Sequence, residues 1–110
     1  MPRLKVKAGT RIFKKGDKGN HAFFIRSGTV EIDLHTPDAP DGGKRDLGKG
    51  DIFGEYSLIL EDGLRTATAT AKTEMELEQI DRNEFTEKFE KIEPFFQKWI
   101  KVLIQRGLRS

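Results

Sequence analysis

Cysteine is absent from the 110 residues, which excludes a disulfide framework and any thiolate metal site. Histidine occurs only twice, and His21 and His35 lack the His-x-His spacing of a metal-binding β-barrel. No metal site is expected. Charge of one sign is also lacking: 20 Lys+Arg against 18 Asp+Glu leave a net +2, and no basic run stands out. That balance argues against a nucleic-acid or membrane-surface footprint within this chain. No stretch approaches the ~18 consecutive apolar residues of a membrane span, and Met1 to Lys7 holds no signal-peptide core. A reducing, cytoplasmic setting is expected.

What is present is eight phenylalanines and clear apolar alternation, the marks of a chain that buries a core. One domain is expected over 1–110, since compact domains commonly run to about 100–150 residues. Leu4 and Val6 alternate with basic residues, and Arg11-Ile12-Phe13 follows a Gly9-Thr10 turn. After the Gly16-Asp17-Lys18-Gly19-Asn20 cluster, Ala22 to Ile25 reads as a strand apolar on both faces. Val30, Ile32 and Leu34 then alternate at period two. Thr36 to Asp46 reads as an exposed hairpin loop, and strand patterning resumes through Phe53, Thr66 to Ala71, and Met75-Leu77 among glutamates. Many short strands at even spacing point to a small β-sandwich or jelly-roll barrel over 1–81.

The last third changes period, and helices are expected over 82–108. Asp81 with Glu84 forms a capping-box-like start, with Phe85 and Phe89 four apart behind it. Pro94 suits the first turn of a further helix. Phe95, Phe96, Trp99, Ile100, Leu103 and Ile104 form an apolar stripe that Gly107 is expected to end.

The stretch from Gly50 to Thr68 carries the chemistry. Gly54 lets a backbone approach a ligand closely, and Glu55 to Leu60 suit one or two helical turns whose first N–H groups favour an anion. Arg65 lies ten residues after Glu55, across an Asp62-Gly63 turn and at the expected start of a strand, where its planar fork of donors returns to the same anion. A carboxylate beside phosphate is repulsive unless the ligand also donates a hydroxyl. The expected ligand is therefore an anion with a neighbouring hydroxyl, the combination found in a ribose cyclic phosphate.

Phe53-Gly54-Glu55, nine residues, then Arg65-Thr66-Ala67-Thr68 resembles the phosphate-binding cassette of the cyclic nucleotide-binding domain family, which includes catabolite-activator regulators, protein kinase A regulatory subunits and nucleotide-gated channels. Gly9-Thr10, Gly16-Asp17, Phe23 to Ile25, Ser27-Gly28, Val30 and Asp81 to Phe85 extend the resemblance over nearly the whole chain. It implies a mainly β fold: an eight-stranded jelly-roll, a short phosphate-cassette helix and two C-terminal α-helices. It implies Glu55 as the ribose-binding acid, Arg65 as the phosphate-binding arginine, and Gly54, Thr66 and the amide of Ala67 as further donors. Tyr56 and Ser57 complete the ligand-binding set, in place of the family's commoner aliphatic and small residues. The last helix is implied to cap the base and to move on binding, with Trp99, Val102, Leu103 and Arg106 as lid candidates. The family's usual helix before the first strand, and its output elements, do not lie within the 110 residues.

The expected function is a sensor for cAMP, or for cGMP, with no cofactor and no catalysis of its own. Apolar residues such as Leu58 and Leu60 are expected to relay occupancy to Phe85 and Phe89. Two other readings stand beside it. One is a non-binding roll used for assembly, with the Trp99 face as a homodimer interface through the C-terminal helix. The other is a metal-dependent, cupin-like enzyme, for which the two scattered histidines supply no ligand cluster.

Overall fold

The glycine-punctuated strands pair into two antiparallel four-stranded sheets, seen in a computed structural model that describes residues 1–109. Ser110, the last residue of the expected domain, lies outside the described residues. The strands are β1 (Arg3–Val6), β2 (Arg11–Phe13), β3 (His21–Ser27), β4 (Val30–Asp33), β5 (Lys44–Leu47), β6 (Ile52–Phe53), β7 (Thr68–Ala71) and β8 (Met75–Asp81). One sheet has the order β1-β8-β3-β6 and the other β2-β7-β4-β5. The fold is mainly β, with a short helix α1 (Tyr56–Ile59) between β6 and β7 and helices α2 (Arg82–Glu90) and α3 (Pro94–Arg109) after the roll.

Period-two patterning decides which side chains face inward. In β8, Met75 and Leu77 point into the core, while Glu76 and Glu78 face outward and meet Arg3 and Arg26 at 3.1–3.7 Å. Between the sheets, Val6, Phe23, Ile25, Phe53, Met75 and Leu77 pack against Val30, Ala69 and Ala71. The alanines of β7 leave room for aromatic rings from the other layer, an alternation of small and large that fills a thin core. Phe13, Phe23 and Phe53 form a cluster with centroids 5.1–6.2 Å apart.

Several boundaries differ from the sequence reading. The loop after β4 is shorter than Thr36 to Asp46, because Lys44 to Asp46 pair with Glu31 to Asp33. β3 begins at His21, one residue before the expected Ala22. The strand expected from Thr66 begins at Thr68, since Thr66 and Ala67 form a bend. Gly107 does not end the last helix, which runs to Arg109. Asp81 caps α2 as expected, its Oδ1 accepting from the Glu84 N–H at 2.8 Å. Gln97 joins the two helices: its Nε2 donates to the carbonyls of Phe89 (3.1 Å) and Ile92 (2.7 Å). Among the described residues, no helix is long and apolar enough to cross a membrane.

Candidate functional site

The cassette is shaped first by its backbone. Gly54 turns the chain with φ +79, a left-handed conformation that glycine adopts without strain, and Glu55 then stands at the N-cap position of α1 with no side-chain hydrogen bond to the helix N–H groups. A Cβ at Gly54 would come within 2.9 Å of Arg65 Nη1 and 3.2 Å of Phe13, so close approach as well as conformation selects glycine. After α1 the chain returns through Leu64, which bridges to Lys18, and Arg65 is held by backbone bonds on both sides. Its N–H donates to Asp17 O at 2.8 Å, and its carbonyl accepts from Gly16 N at 2.9 Å.

Pinned there, the Arg65 side chain runs inward and is 7% exposed. Its Nη1 donates to His21 O (2.8 Å), Gly54 O (3.0 Å) and Ser57 Oγ (2.9 Å). The guanidinium sits 4.0 Å from the centroid of Phe13, a cation–π contact. Ser57, 1% exposed, donates its own hydroxyl proton to Gly54 O at 3.0 Å. Gly19 makes this arrangement possible: a Cβ there would lie 2.5 Å from Arg65 Nε and 2.6 Å from Ser57 Oγ. Burial, then repulsion from Arg82, pushes the Arg65 pKa down, against the opposing pull of Asp17.

These groups open onto a cavity of about 260 Å³. Gly54, Glu55, Tyr56, Ser57, Arg65, Thr66 and Ala67, the whole cassette set expected from the sequence, line it. Ile32 of β4, Leu34 just beyond it, Arg45 and Leu47 on β5, and Ile52 on β6 also line it. Two buried polar atoms on this site have no hydrogen-bond partner among the described residues: Glu55 Oε2 and Arg65 Nε. Burial raises the Glu55 carboxyl above its ordinary 4.5, with a hydrogen bond to its own backbone and the charge of Arg45 pulling the other way. Burial also raises the Tyr56 hydroxyl, and the neighbouring Glu55 charge adds to it.

The four lid candidates do not line the cavity. Trp99 is 53% exposed and Leu103 51%, Arg106 is exposed and Val102 half-buried. The helix meets the cavity through its last turn instead, where Gly107 lines the mouth. A Cβ on Gly107 would fall 2.7 Å from Tyr56 Oη. Gly107 thus lies against the cassette within the helix and does not terminate it.

The sequence matches the cyclic nucleotide-binding domain family over residues 3–91. The chain belongs to that family. Among similar cyclic nucleotide-binding proteins, a CRP-like cAMP-activated global transcriptional regulator of Mycobacterium tuberculosis is 36% identical over 75 residues, 68% of this chain and 33% of the regulator. A cyclic nucleotide-gated potassium channel of Rhizobium etli is 45% identical over 76 residues, 69% of this chain and 19% of the channel. The chain therefore spans a third or less of these relatives. An EAL enzyme solved in a cGMP-bound form superposes with a TM-score of 0.83 at 28% identity, covering 98% of this chain and 28% of that one. The catabolite activator protein of Thermus thermophilus gives 0.74 at 30% identity, covering 98% and 50%. What the family cassette did not bring to notice are Gly19, Phe13, Arg45 and Arg82. Their roles arise from proximity across the fold, and only the turn cluster at Gly19 left a trace in the sequence.

Proposed function

We propose that this chain is a regulatory module that binds cAMP or cGMP, with Arg65 on the cyclic phosphate and Glu55 on the ribose 2′-hydroxyl. The observation that carries this reading is the pair of unpartnered buried atoms on one cavity. An N–H without an acceptor and a carboxylate oxygen without a donor each cost about 1–3 kcal/mol when left unpaired in a buried place. A ligand with an anionic oxygen and a hydroxyl relieves both. Arg65 Nε supplies a charge-assisted bond that the protein does not use, and stacking on Phe13 holds its plane. Thr66 and the Ala67 amide, beside Arg65 on the cavity wall, are further donors.

The reading is of a binding module, not an enzyme. The cassette's serine gives its proton to a backbone carbonyl and not to a base, so it is not set up as a nucleophile. Regulation follows if the ligand favours one arrangement of α2 and α3 over another. The bare face of α3, with Phe95 65% and Trp99 53% exposed, supports a homodimer through that helix.

Isothermal titration of the purified chain with cAMP and with cGMP tests the reading. Binding at micromolar affinity or tighter, about 8 kcal/mol, is expected, and Arg65→Ala is expected to abolish it. No heat from either nucleotide, once any carried-over ligand is stripped, would overturn it.

A further inference from the structure

The short helix α1 ends after one turn, so the carbonyls of Ser57 and Leu58 have no helical N–H to accept from. Both are taken up by one side chain from outside the cassette. Arg82, the first residue of α2, donates from Nη2 to Ser57 O (2.5 Å) and Gly19 O (3.0 Å), and from Nη1 to Leu58 O (3.3 Å). Its backbone N–H is fixed to Asn20 O at 2.9 Å. Gly63, with φ +66, leaves the space: a Cβ there would sit 2.9 Å from Arg82 Nη2.

Ser57 consequently joins two guanidiniums. Its hydroxyl accepts from Arg65 and its carbonyl accepts from Arg82. Gly19 stands between the same two groups, giving its carbonyl to Arg82 and, by lacking a Cβ, its space to Arg65. The two arginines thus hold the same residue of α1, Ser57. One reaches into the cavity, and the other begins the helical tail.

We propose that Arg82 is a positioning residue that couples the state of the cassette to α2 and α3. The proposal rests on the binding reading above. An anion taken by Arg65 Nε pulls on the guanidinium whose Nη1 holds Gly54 O and Ser57 Oγ, which shifts α1 from its present seat. The carbonyls of Ser57 and Leu58 move with α1, and the rigid planar fork of Arg82 passes that displacement to the start of α2. From α2 it reaches α3 through Gln97, which binds the carbonyls of Phe89 in the last turn of α2 and of Ile92 in the link after it. This polar link acts beside any apolar relay from Leu58, a buried residue.

Trp99 is the chain's single tryptophan and lies on α3, so its fluorescence reports on the tail without a label. The test uses Arg82→Gln, which removes the charge, and Arg82→Lys, which keeps it on a point donor. Each is titrated with cAMP by calorimetry and by Trp99 emission, and thermal unfolding shows whether it folds. Arg82→Lys decides the matter if Arg82→Gln does not fold. The expected result is affinity within about threefold of the unaltered chain, together with a Trp99 response reduced to under about a third of its amplitude. A full response in the folded variants would overturn the proposal. So would a loss of affinity and response in proportion, which marks Arg82 as support for the cassette alone. An unaltered chain that binds cAMP with no change at Trp99 would also overturn it. An unaltered chain that gives no heat would instead fail the binding reading, before any variant is made.

Discussion

In the roll, Ile25, Val30, Ala69 and Leu77 have no exposed surface, and the arginine that faces the cavity is locked by three acceptors and an aromatic ring. In the tail, α2 buries no residue at all, and Phe95, Phe96, Trp99 and Leu103 of α3 are 43–65% exposed. If these are the ligand groups, as proposed, the roll holds them in place ahead of binding, which reduces the ordering cost that binding must overcome. The tail is attached by a few named contacts: the Asp81 cap, the Arg82 fork, Gln97 and the seat of Gly107 on Tyr56. Segments with few buried apolar contacts are the ones that open most readily. On the proposed reading, recognition belongs to the rigid part and response to the loosely held part.

The largest effect expected from breaking this division falls on the roll. Arg65→Ala should weaken cAMP binding by about 100-fold or more, roughly 3 kcal/mol, because it removes the charge-assisted partner of the phosphate. Calorimetry reads this directly. Next come two glycine substitutions that create similar collisions in the two regions. Gly19→Ala places a methyl 2.5 Å from Arg65 Nε in a locked site, and it should cost about 1–3 kcal/mol in chemical unfolding. Gly107→Ala places one 2.7 Å from Tyr56 Oη, the far end of a side chain at the cavity mouth. Helix propensity returns up to about 1 kcal/mol there, so the net change in unfolding should be near zero. Equal costs at both sites would erase the proposed contrast.

A third prediction concerns pH. Burial raises the free Glu55 carboxyl, and a ligand hydroxyl donating to its charged form lowers it, so binding releases a proton. Affinity should therefore rise with pH through the free-state value and fall on acidification, starting above pH 4.5, the group's ordinary value. In Glu55→Gln the titration curve should flatten, at about a tenfold loss of affinity. The smallest effect on folding belongs to the α3 face. Trp99→Ala should change unfolding by less than about 1 kcal/mol, given its exposure, while reducing any concentration-dependent mass in sedimentation.

Those contrasts also explain what could be read in the sequence. Strand alternation exposed the roll because Met75 and Leu77 must point one way and their glutamate neighbours the other. Glu55 and Arg65 stood out because two opposite charges flank a glycine turn, and the structure lines one cavity with both. Gly19 was visible only as a turn residue. Its function depends on Arg65, which arrives from 46 positions later, and no local pattern encodes that meeting. Arg82 looked like part of a helix start, yet its fork is spent on α1. The α3 stripe was correctly apolar, but periodicity does not say which turn touches the cassette. Gly107 does so where Trp99, Val102, Leu103 and Arg106 were the expected candidates.

The central claim is that Glu55 Oε2 and Arg65 Nε await a hydroxyl and an anion of one ligand. The most direct measurement is a four-way calorimetric cycle: the unaltered chain and Glu55→Gln, each with cAMP and with its 2′-deoxy analogue. The account predicts that either change alone costs about tenfold, and that making both costs little more than one, since they remove the same contact. Losses that simply add, or a 2′-deoxy ligand that binds the unaltered chain as well as cAMP does, would contradict it.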